Sequence, residues 1–447
     1  MGGAGGPDAG PGLESRTGRP PPLGTAPEPV TTWNARRPKI VDTANTCGGP
    51  RELRVPATLR RHESETALSL TGTTLFGLQT FGGGLLTVDG EELGDALTQA
   101  HLVTEGAAAE AAGADAFGVG EHHRAELPTS APDVILAGVA ARTERILLTT
   151  AVTVLSTDDP VRAYERYATV DGISGGRVQP VLGRASFTEP FLLFGFDLAH
   201  YNELFEEKLA LWTQAKREGA LRFNGVHRAA LNGERAFPAS ATPGGIVTWV
   251  GVGGSPESVV RAAKYNANLM MAGLGQTPDR IQRYFQLFRA AEKEFGQRPA
   301  MLGMTSNGFL ADTMEEARDR AWETNRRLME SVARERGWGE RTREHFEADA
   351  ETGFSLVGTP EWAAQRIAEH VLALDVDRYD VNYGNMTATR EEKLEQIRLW
   401  GEVVFPRVRE LVAEARATAG GDAAPSGVSD SPAPEATGDV APSGQQA

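Results

Sequence analysis

The chain has 447 residues, 40% hydrophobic and 23% charged, the composition of an ordinary globular protein that length alone allows to be one large domain or two or three smaller ones. A formal net charge of −15 disfavours nonspecific binding to nucleic acid or anionic membranes, and acidic neighbours dilute the local clusters Arg334-Glu335-Arg336 and Arg341-Thr342-Arg343. No apolar run approaches the roughly 18–20 residues of a bilayer span, MGGAGGPDAG lacks the basic start and apolar core of a secretory signal, and the single Cys47 offers neither an internal disulfide nor a metal-binding pair, so a cytoplasmic protein is expected.

Residues 1–70 are crowded with Gly, Pro, Arg and Thr and show no sustained period. They read as disordered, because they cannot bury enough apolar surface to offset ordering entropy, or as an extension from a start codon placed too far upstream. Between about Thr73 and Val412, short apolar, β-branched runs recur at Thr74–Phe81, Ala116–Gly120, Ile146–Leu155, Val178–Leu182, Ile246–Val250, Ala267–Met271, Met301–Leu310 and Arg378–Tyr383. Most are near-continuously hydrophobic, which indicates strands covered on both faces. Helical patterns lie between them, at Leu93–Ala112, Tyr201–Arg217, Gln282–Phe295 and Lys393–Val412. From about residue 416 the tail is Pro/Gly/Ser/Ala-rich and is expected to be disordered.

Eight strands alternating with helices over 71–415 predict an α/β fold, a TIM-type (β/α)₈ barrel with insertions. A doubly wound sheet is the rival, and the absence of a G-x-G-x-x-G after the first strand argues against it. In a barrel, function belongs to the loops at the strand C-terminal ends. The charged stretch 331–352 reads as a lid over that mouth or as a plain solvated helical insertion.

Glu121, His122 and His123 follow the second strand directly, where an imidazole is placed to move protons. They read equally as histidines bonded to loop carbonyls. A metal site is disfavoured, because no second strand end offers the ligands of a barrel hydrolase. The third strand ends in Thr149-Thr150-Ala151-Val152-Thr153, whose hydroxyls need partners in a buried strand and whose small Ala151 would let a flat ligand approach. Arg184 follows the fourth strand and suits a phosphate or carboxylate, or a salt bridge to a loop. The fifth strand runs into Gly251-Val252-Gly253-Gly254-Ser255-Pro256-Glu257, with Ser255 as N-cap and Pro256 at the first helical position. Amides converging there at a helix N-terminus could clamp one anion together with Arg184. Gly358-Thr359-Pro360-Glu361 repeats the cap signature and reads as a helix start only.

Four ordered segments together resemble the bacterial luciferase-like, flavin-dependent monooxygenase family: FGVGEHHRAELPTSAPDVILAGVAARTERILLTTAVTVL, DDPVRAYERYATVDGISGGRVQPVLGRASF, GVGGSPESVVRAA and LVGTPEW. The resemblance spans roughly Thr74 to Val412 and is nearest to an actinobacterial-type FMN-dependent branch. It implies a monooxygenase in which reduced FMN and O₂ oxidise a small organic substrate, with FMN reduced by a separate NAD(P)H-dependent flavin reductase, and a homodimer. Alternatives are deazaflavin-dependent hydride transfer on the same barrel and a flavin-binding protein without turnover. By position, the resemblance puts the active-site histidine on His122, with Glu121 beside it and His123 as support. It implies a non-prolyl cis peptide at Ala151-Val152, and a cofactor site at Ala151, Val152, Thr153, Arg184, Gly253, Gly254 and Ser255. Val252 and Gly253 stand where luciferase itself has a glutamate and a serine. The phosphate would therefore depend more on backbone amides, and a luminescent aldehyde reaction is not implied.

Overall fold

Eight parallel strands form the frame: β1 (Leu75–Thr80), β2 (Ala116–Val119), β3 (Leu147–Thr150, resuming as Thr153–Val154), β4 (Val178–Gln179 and Val181–Gly183), β5 (Trp249–Val252), β6 (Asn268–Ala272), β7 (Leu302–Leu310) and β8 (Arg378–Tyr383). They come from a computed structural model that describes residues 73–421 except 186, 337–341 and 385–387. The N-terminal stretch 1–70 lies outside the described residues, as does most of the tail. Each strand pairs with the next in the chain, and β8 pairs back onto β1. The sheet therefore closes, as a (β/α)₈ barrel does and a doubly wound sheet, with its two edges, does not.

All eight predicted apolar runs are strands of this barrel. Their outward side chains, among them Phe76, Phe117, Leu148, Val250, Met271 and Tyr379, form one core with the helices. Those helices are α1 (Asp95–Ala111), α2 (Pro132–Ala140), α3 (Pro160–Ser174), the short α4 (Glu189–Leu193), α5 (Tyr201–Lys216), α6 (Pro256–Lys264), α7 (Pro278–Glu294), α8 (Met314–Arg336), α9 (Arg343–Thr352), α10 (Pro360–Leu374), α11 (Arg390–Arg398) and α12 (Phe405–Gly421). No described helix is long and apolar enough to cross a membrane.

Several elements differ in extent from the sequence reading. α7 begins at Pro278 rather than Gln282, because Thr277-Pro278-Asp279 carries the Pro-at-start signature. The helix expected over Lys393–Val412 is α11 and α12 joined by a π-helical turn at Leu399–Val404, and α12 runs to Gly421, past the expected start of the tail. Leu356–Gly358, read only as the approach to a helix, is a short strand pairing with Gly308–Leu310 of β7. Three residues are too few to display a period of two. In the 331–352 stretch, Phe346 of α9 packs with Phe309, Ala317, Ala321 and Val357, so the described part is docked against the end of β7.

Between β3 and β4 the pairing is irregular. Leu148 faces Val178 and Thr149 faces Gln179, whereas Thr153 faces Leu182 and Val154 faces Gly183. β3 thus spends one residue more than β4 over the same span, a bulge of the kind that re-aims backbone beside sites. The Ala151–Val152 peptide inside it is cis, as the resemblance implies.

The barrel interior holds Val181, Trp249 and Met270 and one buried ion pair. Arg378 donates from Nε and Nη2 to the two carboxylate oxygens of Asp380 at 2.8 and 2.6 Å, and both side chains are essentially inaccessible. Gly77 of β1 lies opposite Asp380, where a Cβ would overlap the carboxylate. Removing one member of such a pair leaves a buried charge uncompensated, at a cost of about 3–5 kcal/mol. Asp380→Ala should lower the urea midpoint accordingly, and the double variant Arg378→Met, Asp380→Leu should lose less. Equal losses in the two would remove the pair from its proposed place in the stability of the barrel.

Candidate active site at the C-terminal mouth

The turn after β2 is tied on three sides. The Gly120 amide donates to Thr80 O at 2.9 Å, that of Glu121 to Val152 O at 3.1 Å, and that of His122 to Thr129 O at 3.0 Å. This places the His122 ring over the strand end, where a Cβ on Gly120 would stand 2.8 Å from Nε2. Phe81 and Phe187 meet the ring edge-on, with centroids 5.7 and 5.4 Å away. His122 is 8% exposed, yet neither Nδ1 nor Nε2 has a hydrogen-bond partner among the described residues. Burial, reinforced by the charges of Arg124 and His123, holds its pKa down at about 3. The imidazole is therefore neutral at physiological pH, with one nitrogen able to donate and the other to accept. A buried polar group left unsatisfied costs about 1–3 kcal/mol, and such groups concentrate where a ligand completes them.

Glu121 is anchored by both of its carboxylate oxygens. Its Oε2 accepts from the Val154 amide at 2.8 Å and its Oε1 lies 3.2 Å from Nε2 of His123. Both oxygens are engaged away from the His122 ring, and one of them ties down β3 just beyond its bulge. His123 also meets the Phe194 ring edge-on at 4.9 Å.

The β3 threonines turn away from the mouth. Thr149 donates to Gln179 O at 2.8 Å and Thr150 to Val181 O at 2.9 Å. Thr153, expected among the cofactor contacts, is 1% exposed, and its hydroxyl joins Thr150 Oγ1 at 3.0 Å and Tyr167 OH at 2.6 Å, toward α3. Its side chain belongs to the barrel wall because the bulge reverses the in/out alternation after Val152. Ala151 and Val152 remain half-buried at the mouth. Val152 lies over Gly183, where any Cβ would collide with its side chain.

At the mouth ends of β4 and β5, Arg184 and the Gly253–Ser255 turn come together through Ser258. Arg184 Nη2 donates to Ser258 Oγ at 2.8 Å, and Nη1 donates to Asn202 Oδ1 at 2.6 Å. Its guanidinium lies 5.1 Å from the Tyr201 ring centroid. Partial burial depresses its pKa; Tyr201 and Glu257 oppose this, and the charge of Arg261 adds to it. Ser255 caps α6, accepting from the Ser258 amide at 3.3 Å. No hydrogen bond among the described residues occupies the amides of Gly253, Gly254 or Ser255, and the space beside Gly253 is open. A guanidinium, free amides and a helix N-terminus on one rim form a cradle suited to a phosphate-bearing group.

Three members of this cluster escaped the sequence reading. Asn202 and Tyr201 belong to α5, whose first turn gave no signal beyond helix formation. Arg261 lies one turn beyond Ser258 on α6 and donates to Ser258 Oγ at 3.3 Å, and its spacing in SPESVVR was readable.

A family model described as luciferase-like monooxygenase matches residues 80–377. The alkanal monooxygenase alpha chain of Photorhabdus luminescens is 26% identical over 217 residues, 48% of this chain and 59% of that one. The N-acetyl-S-alkylcysteine monooxygenase of Bacillus subtilis is 31% identical over 246 residues, 51% of this chain and 66% of that one. The chain thus matches about three fifths to two thirds of the length of these relatives. Among solved structures, a monooxygenase of Streptomyces bottropensis aligns at TM-score 0.65 and 21% identity, covering 74% of this chain and 99% of its own. The oxygenating constituent of 3,6-diketocamphane monooxygenase from Pseudomonas putida, in complex with FMN, aligns at 0.59 and 19%, covering 75% and 99%. An F420-dependent secondary alcohol dehydrogenase aligns at 0.59 and 15%, with the same coverage. At these identities the likeness to solved structures is one of fold.

The depressed pKa of His122 has a consequence for stability. Folded near 3 against an unfolded value of 6.5, the ring takes up a proton in the unfolded chain but not in the native one between those limits, so stability falls as pH falls through that window. Buried His370, also near 3, acts in the same direction. Each adds up to about 1.4 kcal/mol per pH unit. Urea unfolding at pH 7, 6 and 5 should show the decline, and His122→Gln should reduce its slope. In the native protein the His122 ring proton resonance should not shift between pH 5 and 8; a midpoint near 6.5 there would contradict the neutral ring.

Proposed function

We propose, since the chain belongs to the luciferase-like monooxygenase family, that it is a flavin-dependent monooxygenase that uses reduced FMN and O₂ to oxidise a small organic substrate at the barrel mouth. The observation that carries this reading is the joint presence on one rim of a neutral imidazole, His122, unpartnered among the described residues, and an anion cradle at Arg184 and the start of α6. Reduced FMN, when bound, supplies the electrons with which O₂ is activated. The chain's own residues bind, orient and shield. Arg184 and the amides of Gly253, Gly254 and Ser255 would hold the phosphate, and the half-buried Ala151–Val152 segment would support the ring.

His122 supplies a donor and an acceptor whose state does not change across physiological pH, suited to orienting or passing a proton at an oxygen of the reacting group. Phe81, Phe187 and Leu127 form an apolar wall that keeps water from it. Reduced flavin would come from a separate NAD(P)H-dependent reductase, and the protein would act as a homodimer. The fold likeness to an F420-dependent dehydrogenase supports a second reading, hydride transfer with a deazaflavin. The same cradle would serve its phosphate.

Absorbance titration with FMN and riboflavin tests the cradle. Wild type should prefer FMN, and Arg184→Ala should weaken FMN binding about tenfold or more, as expected for a hydrogen bond to a charged group, while barely changing riboflavin. Oxygen uptake with reduced FMN and candidate substrates separates the two cofactors, because hydride transfer consumes no O₂. Loss of a general acid/base is worth about 10²–10⁴-fold, so His122→Ala should reduce substrate-dependent uptake on that scale. Full uptake in that variant would remove His122 from the reaction.

A further inference from the structure

We propose that His200, Glu203 and His227 form a binding site for a zinc-type divalent cation on the outside of the barrel. His200 Nδ1 lies 3.0 Å from Glu203 Oε2, and His227 Nε2 lies 3.3 Å from the same oxygen. One ligand atom from each residue falls within 4.8 Å of the other two. Zinc bound by imidazole and carboxylate at about 2.0–2.1 Å in a tetrahedron separates its ligand atoms by about 3.4 Å, so this triangle needs only small side-chain adjustments to accept the ion. Two imidazoles and one carboxylate form a borderline donor set. It favours zinc and neighbouring late first-row ions over magnesium, which prefers oxygen ligands and retains its water. With three protein ligands, the fourth position falls to water.

The three residues come from two segments of the chain, the start of α5 and a later hairpin, each held independently of any ion. His200 ends a 3₁₀ turn, Leu198–His200, capped by the Asp197 carboxylate, and Glu203 lies in the first turn of α5. His227 sits in the connection of a two-stranded antiparallel hairpin, Arg222–Phe223 with Leu231–Asn232. That connection is fastened on both sides of His227. The Glu207 carboxylate accepts from the amides of Val226 at 2.6 Å and His227 at 3.0 Å, and Arg228 donates to Asp159 at 2.9 Å. Glu207 comes so close to Gly225 that a Cβ there would overlap its carboxylate. Outer contacts of this kind orient metal ligands before the ion arrives. The side chains of His200 and Glu203 are 47% and 67% exposed, which leaves the ion a way in, while His227 is 14% exposed and fixed.

A cation here would fasten the hairpin to the start of α5. That same turn of α5 carries Tyr201 and Asn202, the neighbours of Arg184. None of the three ligands contacts Arg184 or His122 among the described residues, and the site owes nothing to the reading of His122.

Zinc chloride titrated by calorimetry into the full chain without a histidine tag should show one site per chain, unaffected by millimolar magnesium. Glu203→Gln and the pair His200→Ala, His227→Ala should each weaken binding at least tenfold. These side chains lie at the surface, and unchanged circular dichroism melts would show that the variants remain folded. Hydrogen exchange should slow on zinc addition within 222–232 and the first turn of α5. No stoichiometric binding, binding that persists in the double histidine variant, or protection confined to other segments would each overturn the site and leave the triad a hydrogen-bonded surface clamp.

Discussion

The hydrogen bond from the Val154 amide to the Glu121 carboxylate governs the geometry of the mouth. A closed parallel barrel requires every strand to keep register with both neighbours, and β3 meets β4 with one residue to spare. That surplus leaves Ala151 and Val152 outside the ladder at the rim. Glu121, projecting from the end of β2, catches the chain immediately beyond the bulge, while its own amide binds Val152 O within it. The same three-residue turn that presents His122 thereby fixes the segment facing it. Replacing this carboxylate would disturb both walls of the site at once, although it need never touch a reacting atom.

Two kinds of electrostatic environment sit on one rim. On the β2 side, aromatic walls and the nearby charges of Arg124 and His123 keep an imidazole neutral. On the β4–β5 side, a guanidinium held by neutral oxygens meets the positive end of α6, and burial lowers its pKa. The first environment suits proton handling without a net charge, and the second suits anchoring. A cofactor with its phosphate at one end and its reactive ring at the other would span the two.

The barrel was legible because strands buried on both faces leave long apolar runs, and all eight runs are strands. The mouth was legible in position but less so in role. Adjacency to a strand end located Glu121, His122 and Arg184, yet nothing in EHHR shows that Glu121 spends both oxygens on Val154 and His123. That the Thr153 hydroxyl turns to Thr150 and Tyr167 was hidden for a related reason, since a period of two fails at a bulge and the bulge has no sequence signature of its own. Asn202 and Tyr201 were invisible because their contact with Arg184 spans a loop and a helix start. The strand Leu356–Gly358 was too short to show a pattern.

His200, Glu203 and His227 were hidden in the same way. The first two lie at helical spacing, but the third arrives from a hairpin more than twenty residues later, and sequence reasoning sought ligands only at strand ends. Barrel logic assigns chemistry to the mouth and leaves the outer loops as connections. The long link between α5 and β5 departs from that economy. Glu207, Asp159 and Asp171 hold it at successive points, through Val226, Arg228 and Thr242 respectively. A connection fastened so often to α3 and α5 keeps a fixed conformation, and a fixed loop can present a ligand such as His227 where a mobile one would lose it to entropy. The barrel therefore orders more than its mouth: the helices that cover it extend that order to a surface loop.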